Sequence, residues 1–245
     1  MRVIRAYVDL PLTVGTRVAL PDAVAAHLIR VLRLDVGDAC VLFNGDGHDR
    51  DARVVSAGKR AAEVDVLAVR AIANESALRI VLLQGIARGE KMDWILQKAS
   101  ELGVAEFVPV NSDRSEVKLD AARAAKRLAH WQGVVVSACE QSGRARVPTV
   151  STPVALGDAL AALPDDGLRL TLDPGATSGI ATLDAPANST VVVAIGPEGG
   201  WSPRDRGVLS AAGFTGLRLG PRILRTETAG IAAIAALQGR FGDLV

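Results

Sequence analysis

The sequence predicts an α/β protein in which a parallel sheet covered by helices follows a small β-rich barrel. From residue 78 onward, short apolar runs alternate with helical patterns, and this alternation is typical of a parallel sheet buried on both faces. Before residue 71, five strand-like runs are separated by glycine-containing turns, which favours a small barrel. A length of 245 residues suits one small and one medium domain.

Composition narrows the class of protein. The net charge is only +1, so any contact with nucleic acid depends on local basic patches rather than on overall charge. The longest uncharged apolar run, residues 229–237, is too short to cross a bilayer. Cys40 and Cys139 are far apart, and the three histidines show no metal-ligand spacing. With no signal-peptide pattern at its start, the chain is expected to be a reduced, cytoplasmic and metal-free protein.

The N-terminal domain, residues 1–71, contains the predicted barrel. The strands are predicted over residues 3–8, 17–20, 39–43, 52–56 and 62–69. One helix is predicted from Pro21 to about residue 32, because Pro suits a helix start and Leu28 and Val31 keep helical spacing.

Residues 72–77 are polar and small and predict a linker to the second domain, residues 78–245. In that domain strands are predicted over residues 78–85, 104–110, 168–172, 190–195 and 217–219, and helices over residues 91–102, 120–141, 154–163, 204–212 and 227–241.

Two glycine- and proline-containing loops follow predicted strands of the second domain. Residues 196–200 read Gly-Pro-Glu-Gly-Gly, and residues 220–229 read Gly-Pro-Arg-Ile-Leu-Arg-Thr-Glu-Thr-Ala. Ligands collect at the carboxyl ends of parallel strands, so the two loops are predicted to form one site. Neither a phosphate loop nor a dinucleotide fingerprint is present, which disfavours triphosphates and dinucleotides.

Simpler interpretations of both loops stay open. The first is an ordinary strand-to-helix turn with Ser202 and Pro203 starting the next helix. The second is a helix start capped by Thr226 or Thr228. A simple cap does not predict the Ile-Leu pair held between two arginines. Backbone groups beside such an apolar pair would suit a flat purine ring.

The two loops in this order resemble the signature of the bacterial 16S ribosomal RNA uracil-N3 methyltransferase family (RsmE) of the SPOUT superfamily. Further matching stretches are residues 27–33, 91–93, 97–104, 114–115 and 140–144. The resemblance covers nearly the whole chain. It implies a PUA-like RNA-binding barrel, then a methyltransferase domain with a deep C-terminal trefoil knot. It also implies S-adenosylmethionine as cofactor, a homodimer, and 16S ribosomal RNA of the small subunit as partner, methylated at N3 of one uridine in the decoding region.

Carried onto this chain, the resemblance assigns three sets of site residues. The cofactor-binding set is Gly196, Pro197, Glu198, Gly199, Gly200, Leu219, Gly220, Ile223, Leu224, Thr226 and Thr228. The RNA-binding set is Arg30, Arg33, Arg88, Lys91, Lys98, Arg114 and Arg144, each of which could instead be solvated surface charge. Arg225 and Glu227 are the catalytic candidates, because the N3 proton must leave and the developing anion needs a cation.

Two questions stay open in this interpretation. Glu227 could be the base or could merely fix its loop by accepting backbone N–H bonds. The function could instead be ribose 2′-O-methylation by a SPOUT enzyme, or that of a non-catalytic RNA-binding ribosome-assembly factor.

Overall fold

The computed structural model describes residues 4–58, 61–117, 120–164 and 167–244. Its chain divides into two compact units. The first unit comprises Met1–Glu75 with Cys139–Val147, and the second comprises Ser76–Ala138 with Pro148–Val245. The domain boundaries expected at residues 71 and 78 stay a prediction.

The first unit is built on a five-stranded sheet. Its strands are β1 Arg5–Tyr7, β2 Arg17–Ala19, β3 Ala39–Phe43, β4 His48–Ala57 and β5 Ala62–Ala71. They are ordered β1-β3-β4-β5-β2, with β1 parallel to β3 and the other pairs antiparallel. Strand β4 begins at His48 rather than at residue 52, because its charged first residues are paired. Asp49 accepts from Arg5 at 2.7 Å and from Arg70 at 3.0 Å. Val3, the predicted start of β1, lies outside the described residues.

The helix of the first unit lies where it is predicted, but its second half is not α-helical. Helix α1, Asp22–Ala26, passes directly into one π-helical turn, His27–Val31. The Leu32 N–H donates to the carbonyl of His27 at 3.0 Å, a bond five residues long that widens this last turn. Leu28, in the same turn, is fully buried in the apolar core of the unit.

Side-chain and backbone hydrogen bonds join residues 139–147 to the rest of the first unit. The Tyr7 N–H donates to the carboxylate of Glu140 at 3.0 Å, and Asn74 donates to the carbonyl of Gly143 at 3.0 Å. Arg144 is buried and donates to Glu75 at 3.1 Å. These bonds explain why a stretch so distant in sequence belongs to this unit.

The second unit contains the predicted parallel sheet. Its strands are β6 Arg79–Gly85, β7 Val104–Asn111, β8 Thr149–Val150, β9 Val154–Ala155, β10 Leu168–Leu172, β11 Thr190–Ile195 and β12 Thr215–Leu217. The order is β12-β10-β11-β6-β7-β8, β9 also pairs with β7, and all these pairs are parallel. The last strand ends at Leu217 rather than at residue 219. At Arg218 the chain turns away, and its N–H donates to the carbonyl of Ser178 at 2.9 Å.

Helices cover both faces of this sheet. The helices of the second unit are α2 Glu90–Glu101, α4 Leu156–Ala161, α5 Pro203–Ala211 and α6 Thr226–Phe241, together with α3 Ala121–Ser142, whose residues 139–142 belong to the first unit. Helices α4 and α5 share a buried cluster with Val192 and Ala194 of β11, whereas Gly230 of α6 faces Ile195 on the opposite side of that strand. Helix α4 begins two residues later than predicted, because Val154–Ala155 pairs with β7.

A parallel sheet covered by helices after a β-rich unit confirms the predicted α/β fold class, and the trefoil knot stays a prediction. No helix among the residues placed in the structure is long and apolar enough to cross a membrane. Within the same described ranges, no group of three His, Cys, Asp or Glu side chains could hold a metal ion.

Candidate functional site

A cavity of about 450 Å³ lies in the second unit, at the carboxyl ends of adjacent strands. Strands β12, β10, β11 and β6 are neighbours in the sheet, so the segments that follow them meet at one edge. The cavity is lined by Arg88, Lys91, Leu172, Asp173, Pro174, Ile195, Gly196, Pro197, Glu198, Gly200, Trp201, Arg206, Leu217, Leu219, Gly220, Arg222, Ile223, Leu224, Arg225, Thr226, Glu227 and Ala229. Its volume is typical of small-molecule sites.

The loop after β11, residues 196–200, is a tight turn pressed against β6. The Gly200 N–H donates to the carbonyl of Pro197 at 2.8 Å, and Gly200 has a φ of +64°, which a side chain would strain. A Cβ on Gly85, the last residue of β6, would lie 2.5 Å from the Pro197 Cδ atom. Glycine at position 85 is therefore needed for the loop to approach the sheet edge.

The helix that follows this loop begins as the sequence predicts. Ser202 caps α5: its hydroxyl accepts from the Asp205 N–H at 3.0 Å, and its own N–H donates to the Asp205 carboxylate at 3.1 Å. Pro203 is the first helical residue. The Ser202 hydroxyl also donates to Asp113 at 2.7 Å, which ties the loop to the segment after β7.

Trp201 contributes a wall of the cavity that the sequence analysis did not assign to the site. The side chain is buried, and its indole N–H donates to the Thr171 hydroxyl at 3.0 Å. That hydroxyl in turn donates to the carbonyl of Ala194 at 3.1 Å. The indole is thus fixed between the ends of β10 and β11.

Thr226 links the two loops. Its hydroxyl donates to the carbonyl of Gly196 at 2.6 Å and accepts from the amide of the fully buried Gln84 at 3.2 Å. Arg225 occupies the N-cap position of α6, and Thr226 and Thr228 lie inside the helix. The alternative in which either threonine caps the helix is therefore wrong, since the Thr226 hydroxyl instead fixes the glycine loop.

Replacing Thr226 by valine is expected to lower the free energy of unfolding by about 1–3 kcal/mol, because the partly buried Gly196 carbonyl loses its donor and the buried Gln84 amide loses an acceptor. Urea denaturation at constant m-value measures this. Thr228→Val is the matched control, since Thr228 is exposed on the same helix turn, and it should change stability by less than about 0.5 kcal/mol. Equal losses in the two variants would contradict the proposed link.

Arg225 and Glu227 both line the cavity, in different environments. Arg225 is exposed, and among the described residues it donates no hydrogen bond and forms no ion pair. The Oε2 atom of Glu227 is buried and has no hydrogen-bond partner among the residues described. If Glu227 fixed its loop, this oxygen would accept hydrogen bonds from backbone N–H groups. It accepts none among the residues described. Between the two arginines of this loop, Ile223 is 86% exposed.

Glu198 holds the start of α2 beside the cavity. Its carboxylate accepts from the Arg88 N–H at 3.1 Å and from the Lys91 ammonium at 3.2 Å. Burial alone raises the pKa of this carboxyl, but hydrogen bonds from the backbone N–H groups of Arg88 and Glu198 and from Lys91 lower it by more. The net result is a pKa below the ordinary value.

This lowered pKa makes a prediction about stability. With a folded-state pKa below the unfolded value of 4.5, Glu198 stabilises the fold fully above that pH, and the contribution is lost as pH falls through the folded pKa. Urea denaturation of the unaltered protein and Glu198→Gln should therefore differ most near neutral pH, and the difference should shrink in acid. A difference that is constant with pH would contradict the assigned role of Glu198.

The predicted RNA-binding residues have different surroundings in the two units. Arg88 and Lys91 line it, and Arg114 donates to the carbonyl of Gly199 at 2.9 Å. Lys98 is paired with Glu101 at 2.8 Å on α2. Arg30 and Arg33 are exposed in the first unit.

Arg144 requires a correction. It is only 4% exposed and its guanidinium is paired with Glu75, so its position fits a structural ion pair and not a contact with RNA phosphates. The sequence alone does not show whether an arginine forms an ion pair or contacts RNA, because its partner is known only from the folded structure.

Of the predicted cofactor set, Gly199 and Thr228 do not line the cavity, and the other nine residues do. The residues missed by the sequence analysis include Asp173 and Pro174 at the end of β10, and Arg206 on α5, which pairs with Asp173 at 3.2 Å. Their position in the sequence could have indicated the site, because Asp173 and Pro174 directly follow a predicted strand. Only the strand order shows that this strand lies between β11 and β12.

This fold and this cavity define the chain as an RNA methyltransferase with an N-terminal PUA domain. The family model described as an RNA methyltransferase domain matches residues 74–238, and the model described as an RNA methyltransferase PUA domain matches residues 20–67. The first match spans more than half of the chain.

More specifically, the chain belongs to the ribosomal RNA small subunit methyltransferase E family. The member from Buchnera aphidicola (Schizaphis graminum) is 32% identical over 99% of this chain and 98% of its own length. The member from Neisseria gonorrhoeae, in a structure bound to S-adenosyl methionine, is 41% identical with a TM-score of 0.93 over 100% of both chains. A Legionella pneumophila methyltransferase structure with bound cofactor SAM is 36% identical, with a TM-score of 0.95 over 100% of both chains. The family resemblance stated from the sequence is thereby confirmed.

Proposed function

We propose that this protein transfers a methyl group from S-adenosylmethionine to N3 of one uridine of 16S ribosomal RNA in the decoding region of the small subunit. The observation that carries the proposal is that Arg225 and Glu227 both line the cavity. An exposed arginine without a partner and a buried carboxylate oxygen without a partner line the same space. Family membership supports the reaction class and the RNA substrate.

The residues of the cavity fit S-adenosylmethionine. The unpartnered Glu227 oxygen is a buried acceptor, suited to a ligand that carries cationic and N–H groups. Backbone of residues 196–198, 200, 219–220 and 222–224 would hold the ligand, beside the apolar side chains of Ile195 and Leu224. When bound, the cofactor supplies an already activated methyl group, so the protein mainly has to position the acceptor.

The chemistry left to the protein concerns the uracil imide. Its N3 is a poor nucleophile while protonated, so the proton must be removed and the resulting anion stabilised. In the proposal, the Arg225 guanidinium faces the negative charge that develops on the flanking carbonyl oxygens. Glu227 is the weaker candidate for the group that accepts the N3 proton.

The RNA would be held by cations in both units. We retain Arg30, Arg33, Arg88, Lys91, Lys98 and Arg114 as proposed phosphate contacts. Affinity for ribosomal RNA should then fall steeply as salt rises, because each phosphate contact releases counterions. We further propose a cytoplasmic homodimer with a knotted C-terminal segment; these proposals rest on the family resemblance.

Methyl transfer to isolated small ribosomal subunits tests the function. Subunits from cells that lack the endogenous activity are incubated with the protein and radiolabelled S-adenosylmethionine, and nucleosides are then separated. Label in N3-methyluridine is expected. Label on a ribose would indicate the 2′-O-methyltransferase alternative. No label together with no calorimetric binding of the cofactor would indicate the non-catalytic assembly factor.

A further inference from the structure

A carboxylate and a guanidinium line the cavity at the end of β10. The Arg206 guanidinium donates to Oδ2 of Asp173 at 3.2 Å, and both residues belong to the cavity wall. The Asp173 side chain is 35% exposed and that of Arg206 is 53% exposed, so a bound molecule can reach both. The proposed methyl transfer uses neither residue, and their place in the wall needs an explanation of its own.

Asp173 is held in one orientation. Its N–H donates to the carbonyl of Leu217 at 3.0 Å, and its Oδ1 atom accepts from the Gly175 N–H at 2.9 Å. A Cβ on Gly216 of β12 would lie 3.0 Å from the Ala176 Cβ atom and 3.5 Å from the Asp173 Cβ atom. The turn after β10 therefore packs closely against β12, and the carboxylate has a fixed place beside that strand.

This fixed carboxylate can still accept further hydrogen bonds. A carboxylate offers about four acceptor sites on its two oxygens. One bond from Gly175 reaches Oδ1 of Asp173, and one from Arg206 reaches Oδ2. Each oxygen thus has a lone pair left for a ligand, while the two bonds already present hold the group in place.

The strand order arranges the segments of the cavity in a row. Strands β12, β10, β11 and β6 are neighbours in that order. The segments that follow them are the loop 219–224, Asp173, the glycine loop 196–200 and the segment that ends in Lys91. A ligand that lies across the strand ends meets these segments in the same order.

The start of α6 belongs to the β11 and β6 side of this row. The Thr226 hydroxyl is bonded to the carbonyl of Gly196, which follows β11, and to the amide of Gln84 in β6. Glu227 is the next residue of α6. Asp173, by contrast, is bonded to β12, so it is the acidic residue on the β12 side of the cavity.

We propose that Asp173 binds the ribose of S-adenosylmethionine by accepting hydrogen bonds from its two hydroxyl groups, and that Arg206 positions the carboxylate. The inference rests on the proposed function and adds the orientation of the cofactor. With the purine against the loop 219–224, the ribose attached to it falls beside Asp173. The amino-acid end then extends toward the glycine loop and Lys91. One carboxylate suits two adjacent hydroxyl groups because it accepts from both at once, as acidic residues do for the ribose of dinucleotides.

Calorimetric titration with S-adenosylhomocysteine, the demethylated product, and with its 2′,3′-dideoxy analogue measures the contact. Asp173→Asn keeps the size of the side chain and removes its charge. It should weaken binding of the product roughly ten- to a hundredfold, the range for hydrogen bonds to a charged group. The dideoxy analogue should bind this variant and the unaltered protein with affinities within about twofold, which also shows that the variant is folded. Asp158→Asn, an exposed aspartate on α4, is the control and should change neither affinity.

A ligand without the amino-acid end separates the two ends of the cofactor. Methylthioadenosine keeps the purine and the ribose but carries no ammonium or carboxylate. Asp173→Asn should lower its affinity by the same factor as that of the product. A loss with the product alone would overturn the proposal, because it would assign Asp173 to the ammonium of the amino-acid end.

Arg206 is a positioning residue, and its effect should depend on Asp173. Arg206→Gln should weaken product binding roughly three- to tenfold in the unaltered protein, yet less than about twofold in the Asp173→Asn background. Arg206→Lys should restore most of the affinity, since an ammonium can donate to the same carboxylate. Arg204→Gln is the control, because Arg204 is exposed on the same helix. Additive losses at positions 173 and 206 would show that Arg206 does not act through Asp173.

Two further results decide the role of Asp173. An equal loss of the product and of the dideoxy analogue in Asp173→Asn would leave it a structural role only. Methyl transfer to small subunits, measured in parallel, separates this inference from the proposed function. The predicted dependence on the ribose hydroxyl groups without methyl transfer refutes only the function. Methyl transfer by a protein that binds the product and its dideoxy analogue equally refutes only the ribose contact.

Discussion

Gly85→Ala is expected to lower the affinity for S-adenosylmethionine by at least about a hundredfold, equivalent to some 2.7 kcal/mol. The added Cβ would lie 2.5 Å from the Pro197 Cδ atom and 2.6 Å from the Pro197 N atom. Both atoms are fixed by the backbone, so the loop of residues 196–200 must move as a whole. Calorimetric titration of the purified variant measures the loss.

A graded series makes this result specific. A Cβ on Gly199 would lie 3.2 Å from the Arg114 Cβ atom, and a Cβ on Gly207 in helix α5 has no heavy atom within 4 Å. Alanine at position 199 should therefore weaken binding less than alanine at position 85. Gly207→Ala should leave binding intact and stabilise the helix by about 0.5–1 kcal/mol. Affinities that do not follow this order would refute the proposed cofactor loop.

Arg225→Ala is expected to lower kcat for methyl transfer by about a hundred- to a thousandfold, the usual cost of losing one group that stabilises transition-state charge. Cofactor affinity should be unchanged, because the Arg225 side chain is exposed and the loop backbone does not depend on it. Single-turnover methylation of small subunits gives kcat, and calorimetry gives the cofactor affinity. Full turnover with unchanged cofactor affinity would show that the proposed role of Arg225 is wrong.

Two further variants sharpen the assignment. Arg222→Ala removes another exposed cation from the same loop, and we expect a rise in KM for the subunit with little change in kcat. Glu227→Gln tests the base: if Glu227 accepts the N3 proton, the dependence of kcat on pH should lose its acidic limb. An unchanged profile would remove Glu227 from the chemistry.

The sequence identified both loops of the site because their signals are local. Gly and Pro between an apolar run and a helical pattern mark a loop wherever the chain goes next. The same reasoning placed Ser202 and Pro203 at the start of α5, as the structure has them. Prediction from the sequence failed where contacts with other segments set the secondary structure. Val154–Ala155 was predicted as helix but pairs with β7. Strand β4 begins already at His48, because the charged residues that follow it are paired with other side chains.

Roles of single residues were harder to predict than positions. Thr226 lines the cavity, as the predicted cofactor set requires, but it does not cap the helix, and its hydroxyl donates to the carbonyl of Gly196, thirty residues away. Arg144 was expected to contact RNA, and it is paired with Glu75, sixty-nine residues away. Both outcomes depend on a partner distant in sequence, which no local pattern contains.

By itself, the sequence determined that a parallel sheet follows a β-rich unit and that two loops at strand ends form the candidate site. The spacing of apolar residues and the positions of turn residues are patterns within short stretches of chain, so both can be seen in the sequence itself. Only the tertiary structure decided that β10 lies between β11 and β12, which brings Asp173 to the cavity. It also decided which of the charged side chains are paired and which stand free, because ion pairs and burial are properties of segments that meet only after folding.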